Sequence, residues 1–167
     1  GRELVVVYLC SNTEIADQVR AAGALNKFIT DGDAPAAVSA GIAGSGVDMN
    51  HGIGGSPEGV VAACALKCIE GDFQGRLWPR NDDDRRLAAE RGIDLAQVLT
   101  IADLVRGDDV FFAATGVTGG DLLEGVEYTA GGATSESLVM RSRSGTVRRI
   151  KTEHHWRKLQ GSDHTVN

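Results

Sequence analysis

The sequence predicts an α/β protein, a mostly parallel sheet flanked by helices and followed by a C-terminal β-hairpin. Three observations carry that expectation. Apolar runs of strand length alternate with helical stretches along most of the chain. Glycine closes many of these stretches, and 22 glycines in 167 residues is nearly twice the ~7% average. After Val126 the alternation gives way to two strand-like segments joined by a tight turn.

The elements follow in order. Leu4 to Leu9 is a continuous β-branched run between polar residues, the pattern of a strand buried on both faces. Ser11 and Glu14 have capping-box spacing before a helix that runs to Gly23, a natural C′ residue. Leu25 to Thr30 reads as a second strand. Asp33-Ala34-Pro35 then supplies an N-cap with proline in the first turn, for a helix ending near Gly41 or Gly44. Val47 to Met49 is a short strand leading into a glycine-rich loop over Gly52 to Gly59. Val60 to Glu70 is an apolar helix closed by Gly71.

Phe73 to Trp78 is a fourth strand. Asp82 to Arg91 is a charged surface helix whose three leading aspartates favour its positive dipole end. Val110 to Ala114 is apolar enough for a central strand. Glu136 to Ser142 and Thr146 to Thr152, joined by Arg143-Ser144-Gly145, form the hairpin. Residues 1–160 make one α/β domain, and Gly161 to Asn167 form a frayed tail.

Composition narrows the function. The chain has 17 Lys plus Arg against 23 Asp plus Glu, a net charge of −6. Seven of the basic residues fall between Ser137 and Gln160 beside the single acid Glu153, so that segment is +6 and the rest −12. An acidic body repels phosphate, which argues against a general nucleic-acid partner. The basic end reads as a solvated hairpin or a subunit contact. No stretch approaches the ~18–20 apolar residues of a membrane helix. Three cysteines do not make a disulfide framework and fit a reducing, cytoplasmic setting. The opening Gly-Arg-Glu, directly before a strand, reads as a cut within something longer.

In parallel sheets the ligand sits at the strands' carboxyl ends, which singles out residues 10–13, 31–33 and 51–58. Asp31 and Asp33 repel one another unless a cation or sugar hydroxyls lie between them. Equally, Asp33 could simply cap the next helix while Asp31 faces solvent. In Gly52-x-Gly54-Gly55-x-Pro57-Glu58 the glycines permit close backbone approach of a ligand. The free N–H groups of the helix start favour an anion. Glu58 there is a dipole partner or a metal ligand. Neither the dinucleotide fingerprint nor a P-loop is present, and His51 completes no catalytic triad.

Together Thr30-Asp-Gly-Asp33, Gly44-Ser-Gly-Val-Asp48, Gly52-Ile-Gly-Gly-Ser-Pro-Glu-Gly-Val60 and Leu66-Lys-Cys68 form a distinctive set. So do Gln74-Gly-Arg-Leu-Trp78, Gly107-Asp-Asp-Val-Phe-Phe-Ala-Ala-Thr-Gly-Val117 and Gly132-Ala-Thr-Ser-Glu-Ser-Leu-Val-Met-Arg-Ser142. The chain resembles the C-terminal half of class II fructose-1,6-bisphosphatases, within the inositol-monophosphatase-like sugar phosphatases. The resemblance implies hydrolysis of a sugar phosphomonoester with Mn²⁺ or Mg²⁺, as in gluconeogenesis. It implies that Asp31, Gly32, Asp33 and Gly55 hold the sugar bisphosphate and that Glu58 ligates metal. It also implies homo-oligomerisation, and a missing N-terminal half that carries most catalytic residues. One departure stands out. The family's Asp-Arg/Lys-Pro-Arg-His loop after the first strand is replaced by Cys10-Ser11-Asn12, which has no cation.

Overall fold

The computed structural model describes residues 5–9, 13–29 and 33–159. Strand β1 (Val5–Leu9) lies between β2 (Leu25–Ile29) and β3 (Met49–His51), parallel to both. Helix α1 (Thr13–Ala21) joins β1 to β2, and α2 (Asp33–Gly41) joins β2 to β3. Gly23 follows α1 with φ +81°, the left-handed turn expected of it. Gly44 and Gly46 do the same after α2. The predicted tail, 161–167, lies outside the described residues.

Helix α3 (Ser56–Cys68) starts four residues earlier than the apolar run suggests, because Pro57 suits its first turn. Its end also differs from expectation. Glu70, not Gly71, takes the left-handed conformation, with φ +55°. Gly71 donates its N–H to the Leu66 carbonyl at 2.9 Å. Left-handed backbone costs a non-glycine residue about 1–2 kcal/mol, so Glu70→Gly is expected to stabilise the chain by up to about 1 kcal/mol. A denaturant melt with an unchanged or lower midpoint would count against strain at Glu70.

The region predicted as a strand over Phe73 to Trp78 pairs only through β4 (Gln74–Gly75), antiparallel to β5 (Leu99–Thr100). Between them α4 (Asp82–Glu90) is capped by Asn81, whose side chain accepts from the Asp84 N–H at 2.8 Å. Helix α5 (Ile101–Leu104) carries a capping box from Thr100 and Asp103.

The last third is antiparallel. Strands β6 (Phe111–Thr115), β7 (Glu127–Thr129), β8 (Gly132–Arg141) and β9 (Thr146–His155) form one sheet, followed by a short helix α6 (Trp156–Leu159). The hairpin is longer than predicted, and Gly145 makes its turn with φ +58°. Among the described residues parallel pairing is therefore confined to three strands, and the expectation of a mostly parallel sheet is corrected. The centre of the second sheet is β8, with β9 along one edge and β6 and β7 end to end along the other. The run over 110–114 is thus an edge strand. Its exposure alternates, with Phe112 buried and Phe111 66% exposed, as expected of a strand with one wet face.

Helix α2 is apolar on opposite faces because both are covered. Ala36 and Ala40 pack with Val47 and Ile29 against the parallel sheet. Val38 joins Ala65 and Cys68 of α3 and Phe112, Leu138 and Met140 of the antiparallel sheet. The main core therefore lies between α2–α3 and the second sheet. The Lys27–Asp121 ion pair adds a tie from β2 to the loop before β7.

Three of the hairpin's basic residues are neutralised within the chain. Arg141 donates to both Asp109 oxygens at 2.8 and 2.5 Å. Arg149 donates to Glu136, and Lys151 to Glu124, each at 3.2 Å. The Arg141 guanidinium holds the Asp109 carboxyl below its ordinary pKa. The Glu124 N–H, aided by Arg149, does the same for Glu136. Lowered folded pKa values mean that the unfolded chain binds more protons, so stability rises with pH. This contribution is present above the ordinary carboxylate values of 3.8 and 4.5 and is lost as pH falls through the lower folded ones. Melting temperature followed downward from pH 6 should fall less steeply in Glu136→Gln, and parallel curves would refute the coupling.

Candidate ligand site at the carboxyl end of the parallel sheet

The strand order β2-β1-β3 places a switch point beside β1, where chains leave the sheet in opposite directions. Strands β2 and β3 end on the same side of the sheet, two strand spacings or about 10 Å apart. Asp31 and Gly32 lie outside the described residues, as do Cys10 to Asn12. Asp33 opens α2. His51 ends β3, opposite Tyr8, and is exposed.

The loop over 52–55 is exposed and runs directly into α3. Gly55 is the N-cap, with φ −70° and ψ 148°, a conformation open to any residue. Its bare Cα matters for a different contact. A Cβ at Gly55 would lie 2.0 Å from Glu58 Oε2, so the carboxylate rests directly against the bare Cα. No side chain caps this helix, and Glu58 sits in its first turn, where the dipole favours negative charge. Glu58 has no hydrogen-bond or ion-pair partner among the described residues. It is an uncommitted carboxylate beside a glycine-lined backbone.

Gly55→Ala is expected to leave the melting temperature nearly unchanged, since the clashing atom ends a flexible side chain. It should nevertheless shift the Glu58 carboxylate signal in the ¹³C NMR spectrum. An unshifted signal would mean the contact does not position Glu58.

A metal ion needs more than this. Among the described residues no three His, Cys, Asp or Glu side chains converge on one point. Those residues therefore do not by themselves form a metal centre.

Sequence reasoning located Gly55 and Glu58 on one helix start, and the structure brings them into contact. It did not find the hairpin's ion pairs, whose acids stand 13 to 32 positions away in sequence. Only the opposite charge of body and hairpin hinted at them.

A parallel sheet with a glycine-rich, acidic helix start at its carboxyl end defines the chain as an α/β protein with a polar loop at the switch point. Comparison with known proteins makes this specific. The chain belongs to the family described as bacterial fructose-1,6-bisphosphatase, glpX-encoded, which it matches over residues 3–154. It is 43% identical over 164 residues to a D-fructose 1,6-bisphosphatase class 2/sedoheptulose 1,7-bisphosphatase of Synechococcus sp. (strain JA-3-3Ab), covering 90% of this chain and 47% of that protein. It is 41% identical over 140 residues to the fructose-1,6-bisphosphatase 1 class 2 of Escherichia coli (strain K12), covering 76% of this chain and 42% of that protein. The chain spans about half the length of the curated relatives it matches.

Proposed function

We propose that this chain is the substrate-binding half of a class II fructose-1,6-bisphosphatase, releasing the 1-phosphate of fructose 1,6-bisphosphate in gluconeogenesis. The observation that carries this reading is the family match over residues 3–154 together with the uncommitted Glu58 against Gly55. In this reading Asp31, Gly32, Asp33 and Gly55 hold the sugar bisphosphate. Glu58 gives one carboxylate to Mn²⁺ or Mg²⁺, whose other ligands come from outside the described residues, in the N-terminal half of the enzyme. Such a cation, when bound, neutralises phosphate charge and lowers the pKa of an attacking water. The remaining fold follows the C-terminal domain of the sugar phosphatases, and homo-oligomers are part of the same proposal. Cys64 and Cys68 as free thiols agree with a cytoplasmic setting. No described helix is long and apolar enough to cross a membrane.

The chain alone is expected to release no phosphate from fructose 1,6-bisphosphate with Mn²⁺, because one carboxylate is too few. A phosphate-release assay on this chain and on Glu58→Ala checks it. Turnover that the variant loses would show that a complete site exists here. A second reading replaces the substrate with sedoheptulose 1,7-bisphosphate, favoured by the double name of the cyanobacterial relative. Comparing kcat/KM for the two esters in the assembled enzyme decides between them. A non-catalytic sugar-phosphate-binding domain would instead show binding indifferent to Mn²⁺ and to Glu58→Ala.

A further inference from the structure

Helix α4 contributes no residue to either hydrophobic cluster. Of its nine residues only Ala88 is buried. Leu87 is nevertheless 43% exposed on it, and Ile93, just beyond its end, 40%. The way the helix closes brings these two together. Gly92 is left-handed with φ +64°, and Ile93 donates its N–H to the Ala88 carbonyl at 2.8 Å. That closure sets the residue after the glycine against the last turn of the helix. An uncovered leucine and isoleucine therefore adjoin on an otherwise charged segment.

The charges beside them are ordered by sign. Asp83 and Arg91 stand four residues before and after Leu87, so the helical repeat puts all three in one stripe. A stripe that runs acid, leucine, base is complementary to itself turned end for end. Arg91 has no side-chain partner among the described residues. Asp83 reaches only the neighbouring Arg86, at 3.0 Å and with both side chains exposed. An exposed pair of this kind is worth little and leaves the carboxylate able to accept more.

We infer that α4 is the contact for a second copy of this chain, the two helices antiparallel across a two-fold axis at Leu87. Leucine meets leucine on the axis, with Ile93 beside each, and Asp83 of each copy meets Arg91 of the other. Using one patch twice is what a two-fold contact requires. Antiparallel packing also sets the positive end of each helix dipole beside the negative end of the other. The like-charged pair that this alignment opposes is Asp84 with Glu90, and Asp84 is already neutralised by Arg80. Two chains of net charge −6 repel at most of their surface, so a stripe that joins opposite signs selects how they meet. A helix of nine residues is about 13 Å long, which keeps the contact below the ~1,200 Å² of stable interfaces and makes it weak and reversible. The inference gives a place to the homo-oligomer included in the proposed function and rests on that reading there. Its readout is mass, so its failure is distinct from a failure of the phosphatase activity.

Sedimentation velocity of the full chain between about 10 μM and 1 mM, the range in which so small a contact acts, tests it. The mass is expected to rise with concentration toward that of two chains. Asp83→Arg and Arg91→Asp each oppose like charges and should weaken association at least about tenfold. Mixed together, the two variants should pair again, because every altered charge then meets its opposite. Leu87→Glu, which puts two carboxylates on the axis, should abolish pairing. Arg148→Asp, on the exposed strand β9, should leave it unchanged. A chain that stays monomeric, association that survives Asp83→Arg or Leu87→Glu, no recovery on mixing, or loss in Arg148→Asp would each overturn the inference. Retained amide dispersion in the variants separates lost pairing from lost folding.

Discussion

Leu138→Ala is expected to lower the stability of this chain by about 3 kcal/mol, within the 2–5 kcal/mol range for deeply buried leucines. Leu138 is fully buried on β8, the strand that pairs on both edges, opposite Ala114 and Arg149. Its side chain joins α2, α3 and the second sheet in one cluster. Neighbours tied into a ten-residue strand pairing cannot collapse into the void, so the lost contacts add to the lost transfer energy. For a chain of this size the melting temperature should drop by about 6–12 °C. Leu138→Met conserves volume and should cost less than about 1.5 kcal/mol. Thermal melts of both variants decide it, and a similar loss in each would show that volume is not what Leu138 contributes.

Gly132→Ala is expected to cost nearly as much, for the opposite reason. A Cβ at Gly132 would sit 1.7 Å from the His154 carbonyl oxygen and 2.9 Å from its carbon. Both are backbone atoms, fixed by the register that pairs Gly132 with His155 and Ala133 with His154. One strand must retreat, and the Ser135–His154 hydrogen bond at 2.9 Å goes with it. Overpacking of this kind costs about 1–3 kcal/mol and sometimes more. Gly131, one residue earlier, has open space around its hypothetical Cβ, and Gly131→Ala should be nearly neutral. Amide exchange locates the damage. Protection should fall across residues 152–155 in Gly132→Ala alone, and matching profiles in the two variants would refute the steric argument.

Much of the first half was legible from local rules. The pattern of strand and helix up to α3 follows apolar runs, caps and glycines, and the structure repeats it to within a few residues. Of the candidate site, the contact between Gly55 and Glu58 was legible in the same way. Gly55, Pro57 and Glu58 lie within four residues, so helix geometry alone fixes their neighbourhood. Phe73 to Trp78 misled because its apolar content resembled a strand, while only Gln74 and Gly75 find a partner. Val110 to Ala114 misled because an apolar run does not say how many neighbours a strand has.

The sequence by itself determined the local elements, the hairpin turn at Gly145 and the family, since each depends on residues close together or on a motif in order. Tertiary structure alone decided that β8 is the centre of a separate antiparallel sheet, that α2 is buried on two faces, and that Lys27 of β2 pairs with Asp121. These depend on contacts between residues far apart along the sequence, 94 positions in the case of Lys27 and Asp121. Strand partners are selected by which faces can be buried together, and that choice is made by the whole chain at once.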